Sequence, residues 1–250
     1  MKSIVVANWK MNPISGKEAK RLFGATKKAA DAAKNVSVIV APPSIYLREL
    51  SIGYKGKRLS FAVQNVSAEA EGAFTGEISL AQARDAKATY ALVGHAERRA
   101  MGETNDDIRR KVSAVLAVGM TAIVCVGETT RSQDGEYFDR VREQLATGLA
   151  DISASKLGRI VIAYEPVWAI GAEKPMSARD MHEMAIFIRK AIVDQHGPAG
   201  MNIKILYGGS VDGTNAAEML RDGDVMGFVL GRASYDAQKF SMLMNALSTT

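Results

Sequence analysis

Hydrophobic runs of strand length recur along the whole chain, and helical patterns separate them. The runs are IVVANW from Ile4, VSVIVAP from Val36, LSFAVQ from Leu59, YALVGH from Tyr90, TAIVCVG from Thr121, RIVIAYE from Arg159, IKILYG from Ile203 and MGFVLG from Met226. Such continuous apolar stretches, rich in β-branched residues, mark strands buried on both faces. Amphipathic stretches at 17–33, 104–118, 136–150 and 177–196 carry the helical spacing between them. Two-sided strands alternating with helices require a parallel sheet covered by helices, and eight such units in 250 residues favour closure into a (β/α)8 barrel over an open sheet. The expected fold is α/β, eight parallel strands surrounded by helices, in one domain over 1–250.

Composition agrees with one soluble domain: 47% of residues are apolar and 24% charged, and no Pro-, Gly- or Ser-rich run divides the chain. The net charge of +5 is spread among interleaved acids and bases. No basic stripe with interposed aromatics speaks for nucleic acid, so an anionic small molecule is the better partner. The apolar run in MKSIVVANWK is too short for a signal peptide or a membrane span, which points to the cytoplasm. The single cysteine, Cys125, has no partner for an intramolecular disulfide, and its AIVCVG context reads as buried strand.

A barrel of this kind collects its chemistry where strands end and βα loops begin. Asn8 and Lys10 follow the first run, Gln64 and Asn65 the third, His95 the fourth, Glu128 the fifth and Glu165 the sixth. Glu165 is the most telling, because it closes an apolar strand and a stiff segment follows. Pro166 and Trp168 restrict the backbone and Gly171 frees it, the composition of a loop that closes as a unit. The last two runs end in YGGS (207–210) and GRAS (231–234). Glycines there let backbone N–H groups approach an anion, and barrels use these two loops for phosphate. The candidate donors are the amides of Gly171, Ser210, Gly231 and Arg232. Taken singly, Lys10 reads as a solvated cation, His95 fits a structural role as well as a catalytic one, and Arg98 and Arg99 fit a helix-start charge cluster.

Several motifs occur together and in order: ANWKMN at 7–12, QNV with GAFTGE at 72–77, GHAERR at 94–99, CVGE, AYEPVWAIG and YGGSV. From Ala7 to Ser234 this combination resembles the triosephosphate isomerase family, the type family of the TIM barrel. The resemblance implies isomerisation of D-glyceraldehyde 3-phosphate and dihydroxyacetone phosphate through an enediolate, a reaction that calls for no metal and no other cofactor. A glutamate base, a neutral histidine and a closing loop are that family's established machinery. They fall here on Glu165, on His95 and on the segment with Pro166, Trp168 and Ile170, with Val229 as a further wall. Lys10 supplies positive charge, Asn8 a neutral donor, and Glu97 orients or shuttles protons. Gln64, Asn65 and Glu103 buttress the site or an interface. The loop from Val66 to Glu77 implies a homodimer, with Thr75 approaching the partner's site.

Departures from the pattern carry expectations of their own. Ala96 stands where the family usually has serine, so a hydroxyl for the resting carboxylate is missing and Glu165 is expected to rest differently. Ala172, Glu173, Pro175 and Met176 alter the lid, with Pro175 stiffening its hinge. Arg232 replaces a glycine, and Val229 and Leu230 reverse the usual order, which bears on pocket width. Three other readings fit less well: an isomerase of a four-carbon ketose phosphate, a Schiff-base aldolase using Lys10, and a non-catalytic phosphate-metabolite binding protein.

Overall fold

The structure is a computed structural model that describes residues 2–132, 134–170 and 175–248. Its strands are β1 (Ser3–Asn8), β2 (Val36–Ala41), β3 (Leu59–Val63), β4 (Tyr90–Val93), β5 (Thr121–Val126), β6 (Ile160–Tyr164), β7 (Lys204–Tyr207) and β8 (Gly227–Leu230). They form a closed barrel in sequence order. Every pairing is parallel, and β1 closes the ring on β8 through pairs such as Ala7 with Leu230.

The alternation of side chains along each strand splits the core into two layers. Val6, Ile39, Leu92, Ile123, Cys125, Val161, Leu206 and Val229 fill the barrel interior. Val5, Val38, Phe61, Val124, Ile162 and Phe228 point the other way and join the helix-facing layer with Ile108, Leu145 and Ile188. Both faces are thus dry, which explains why the strands read as continuous apolar runs rather than as alternating ones.

The four expected helices are present as Gly16–Ala32, Asn105–Ala117, Glu136–Gly148 and Ala178–His196. Their starts are set by side-chain caps: Ser15 accepts from the Glu18 amide, Ser177 from that of Asp180, and Thr104 with Asp107 forms a capping box. Shorter helices at Ser44–Gly53, Leu80–Asp85, Ala96–Ala100, Ala216–Asp222, Arg232–Tyr235 and Ala237–Ser248 were not legible as periodic stretches. Most are too short to show a repeat. The strand boundaries differ in one consistent way. Each expected run overshoots the paired strand at its carboxyl end, so that Trp9, Gln64, His95, Glu165, Gly208 and Gly231 already lie in the βα loops. Those loop positions carry the site.

Candidate active site

Glu165 leaves β6 with its amide bonded to the carbonyl of Val126 at 2.8 Å. Two glycines make room for it. A Cβ on Gly127 would lie 2.0 Å from the Glu165 carbonyl oxygen, and one on Gly208 would lie 2.7 Å from its Cγ. The carboxylate is almost wholly buried. The backbone N–H of Ala96 donates to Oε2 at 2.9 Å, and Oε1 lies 3.5 Å from Nε2 of His95. The missing serine hydroxyl therefore leaves a donor from the same residue, the backbone amide, to hold the carboxylate.

His95 is the N-cap of the helix Ala96–Ala100, and its Nδ1 accepts from the Glu97 amide at 3.2 Å. A ring nitrogen that accepts a backbone N–H carries no proton, so this geometry places the ring proton on Nε2, the nitrogen facing Glu165. Lys10 sits at φ +52°, a left-handed backbone that costs energy outside glycine. Three contacts hold it: its amide donates to Asn8 Oδ1 at 3.1 Å, its carbonyl accepts from Gln64 Nε2 at 2.9 Å, and its ammonium pairs with Glu97 Oε1 at 2.5 Å. Asn8 is buried, and its own carbonyl accepts from Ser234 Oγ at 3.0 Å.

These groups face one cavity of about 440 Å³. Asn8, Lys10, His95, Glu97 and Glu165 line it on one side, with Ile170 and Val229 as apolar wall. Ser210, Gly231 and Arg232 line the other side, at the ends of β7 and β8, and a single turn of helix (Arg232–Tyr235) follows. The Arg232 side chain is exposed at this cavity. Gly171 lies outside the described residues, as do Ala172 and Glu173.

The stem of the expected lid is anchored. Pro166 precedes a 3₁₀ turn (Val167–Ala169), Trp168 Nε1 donates to Glu128 at 2.7 Å, and Tyr164 Oη donates to the same carboxylate at 2.8 Å. Burial and the Glu128 charge push the Tyr164 hydroxyl well above its ordinary value. On the far side, Pro175 is exposed and Met176 buried. Thr75 is exposed on the loop between β3 and the helix Leu80–Asp85.

Supporting residues divide between those anticipated and those missed. Lys111 joins Glu103 and Asn65 behind the site, and Arg99 binds the carbonyls of Gly94 and Cys125 together with the Asn105 side chain. Arg99 is thus a structural cation that ties three segments together. Burial lowers its pKa from the ordinary value and raises that of the Cys125 thiol well above, which leaves an unreactive cysteine. Sequence reasoning missed Ser234 as a tie between β8 and Asn8, Gln144 as the clamp on both polar groups of Gly127, and Glu128 as the lid-stem acceptor. Only the placement of Glu128 at a strand end signalled it beforehand.

A closed parallel barrel with a carboxylate, an imidazole and an ammonium over one loop-built cavity defines a (β/α)8-barrel enzyme of the acid–base class. The family model described as triosephosphate isomerase matches residues 3–247. A triosephosphate isomerase of Endomicrobium trichonymphae is 39% identical over 245 residues, covering 97% of this chain and 98% of its own. One from Marinobacter nauticus is 41% identical over 240 residues, covering 95% and 94%. A third, from Idiomarina loihiensis, is 37% identical over 246 residues. The chain belongs to the triosephosphate isomerase family.

Proposed function

We propose that this chain interconverts D-glyceraldehyde 3-phosphate and dihydroxyacetone phosphate by moving one proton between adjacent carbons through an enediolate. The observation that carries the reading is the placement of the Glu165 carboxylate and the His95 Nε2 within 3.5 Å of one another at a cavity that also holds Lys10. Glu165 takes the carbon-bound proton, and the C–H electron pair moves into the enediolate. The Nε2–H of His95 donates to the substrate oxygens as they gain charge, and the Lys10 ammonium stabilises the same charge. Glu97 holds the ammonium and, through its amide, the histidine ring. Glu165 then returns a proton to the neighbouring carbon. The amides of Ser210, Gly231, Arg232 and Gly171 hold the phosphate, and Ile170 and Val229 keep that side of the cavity apolar. The relatives' names point to the triose pair rather than to a four-carbon ketose phosphate, and a complete acid–base set speaks against a binding protein. A Schiff-base aldolase needs an amine free to attack a carbonyl, whereas the Lys10 nitrogen is engaged by Glu97.

We read the chain as one domain acting as a homodimer. Support comes from Met11, Ile14, Ile45, Phe74 and Met101, which leave large apolar side chains in water. Met11 and Met101 also flank a second depression between Lys10, Glu97 and Gly76, next to Thr75. A partner loop seated there would cover both features. Among the described residues no helix is long and apolar enough to cross a membrane. A cytoplasmic setting accords with that and with a phosphorylated sugar as substrate.

The test is a coupled isomerase assay on D-glyceraldehyde 3-phosphate with chelator present, comparing the native chain with Glu165→Gln. Turnover in the native protein and a loss of about 100-fold or more in the variant is the expected result. Folded native protein without turnover would overturn the activity, and an unimpaired variant would overturn the role of Glu165.

A further inference from the structure

The cations that alternate with acids along the sequence do not stay mixed in the fold. All eight strands run parallel around a closed barrel, so every connector from a helix to the next strand emerges at one end, opposite the mouth that holds Lys10, His95 and Glu165. With Lys2 and the first residue of each strand, those connectors carry nine cations against two acids, Asp151 and Asp224. That surplus of seven exceeds the +5 of the whole chain.

Both acids are already paired, Asp151 with Arg109 and Asp224 with Arg189. The cations are not. Arg58 directs its guanidinium at the carbonyls of Ala30, Ala33 and Val36, and Arg159 donates to that of Gly119. Lys2, Lys34, Lys55, Lys57, Lys87 and Lys156 are exposed, and among the described residues none of them meets a carboxylate. Unpaired like charges repel one another across a face, and a polyanionic partner relieves that repulsion.

The partner's chemistry follows from what this end offers and lacks. Its two arginines are held by backbone carbonyls, which leaves no free guanidinium fork to read base edges, and Tyr54 packs against Phe23 and Phe61 instead of presenting a stacking face. What remains is point charge together with one large apolar side chain, Met201, which is 58% exposed. Met201 lies on the turn Gly197–Asn202, packed beside the turn Ala154–Arg159 that carries Lys156. Lysines around an exposed apolar side chain suit a bilayer boundary, where the charges meet anionic headgroups and the thioether enters the edge of the acyl layer. At the same end, a depression of about 450 Å³ between Lys2, Asn35 and Arg221 has room for a headgroup phosphate.

We infer that this end of the barrel is a docking face for an anionic lipid surface, held reversibly and by charge, with the catalytic mouth turned to solvent. Adsorption of this kind needs no spanning helix. Met11, Ile14, Ile45, Phe74 and Met101, read above as a dimer's seat, lie on the side of the mouth, so a partner seated there leaves the connectors uncovered.

The test is co-sedimentation of the native protein with vesicles of phosphatidylcholine alone and of phosphatidylcholine with phosphatidylserine, at low and at raised salt. Lys55→Gln with Lys57→Gln, and Lys2→Gln with Lys34→Gln, each remove two charges from the face. Lys17→Gln with Lys239→Gln removes two exposed lysines from the opposite end as control. The expected result is binding to the phosphatidylserine vesicles alone, weakened by salt and lowered about 10-fold or more in either face variant, with the control's binding unchanged. Native isomerase turnover in the face variants shows that they are folded. No binding to the anionic vesicles, or an equal loss in the control, would overturn the inference. Retention by duplex DNA or polyglutamate at a salt concentration where the vesicles no longer bind would overturn the lipid as the partner.

Discussion

Gln64 holds Lys10 by its backbone: the amide nitrogen of one donates to the carbonyl of the other at 2.9 Å, and the same nitrogen reaches the carbonyl of Ala41 at 2.8 Å. The clasp matters because Lys10 is at φ +52°, where a residue with a Cβ stays only if its surroundings force it to. Gln64→Leu removes both donors while keeping the bulk. It should destabilise the fold by roughly 1 kcal/mol, since the Ala41 carbonyl keeps the Trp9 amide while the part-buried Lys10 carbonyl loses the Gln64 donor, and lower kcat/KM as Lys10 loses its place. Thermal unfolding together with steady-state kinetics checks both. Native kinetics in the variant would show that Lys10 holds its conformation unaided.

His95→Gln keeps a hydrogen-bond donor near Glu165 but loses the fixed ring whose Nδ1 is tied to the Glu97 amide. Loss of one aimed donor at a developing oxyanion lowers kcat by about 100-fold. KM should change far less. A fall in kcat below tenfold would place the principal oxyanion donor elsewhere, with Lys10 and Asn8 the nearest groups.

Arg232 stands exposed at the cavity wall where Gly231 and Ser210 also lie. An exposed cation facing a phosphate contributes up to about 1 kcal/mol and is screened by salt. Arg232→Gly should therefore raise KM by up to about fivefold at low ionic strength and flatten the decline of kcat/KM with added salt. The salt series is the discriminating measurement, since widening the pocket alone would leave its slope unchanged.

Burial pushes the Tyr207 hydroxyl up to about 12, against about 10 for an unfolded tyrosine. The folded state thus keeps its proton where the unfolded state has released its own. The corresponding stability is complete below pH 10 and is lost as pH rises towards 12, on the order of 2 kcal/mol across that window. Denaturant melts between pH 9 and 12 should show a steeper alkaline decline in the native chain than in Tyr207→Phe. Parallel curves would mean that the hydroxyl ionises alike in both states.

The segment that follows β6 offers a further test. Trp168 and Tyr164 both donate to the buried carboxylate of Glu128. Trp168→Phe keeps an aromatic ring and removes one donor, which should cost about 1–2 kcal/mol of stability and alter turnover through the loop that follows. Unchanged Tm and kcat would show that the Tyr164 hydroxyl alone suffices.

Local pattern determined the architecture and the address of the chemistry. Strands buried on both faces must be apolar throughout, so eight runs separated by helices announced a closed parallel barrel without any knowledge of contacts. The overshoot of each run marked the loop mouths where Asn8, His95 and Glu165 stand, and the glycines after β7 and β8 marked two further loops that line the same cavity. Only the tertiary structure decided how those residues are held. The Gln64 clasp on Lys10 spans 54 positions, the Ala96 amide on Glu165 spans 69, and the Ser234 hydroxyl on Asn8 spans 226. No periodicity carries such pairings, because they arise where the barrel closes and brings distant loop ends within hydrogen-bond reach. The same holds for the absent hydroxyl at position 96: the sequence showed the loss, but a backbone amide has no letter of its own, and its aim at Glu165 exists only in the fold.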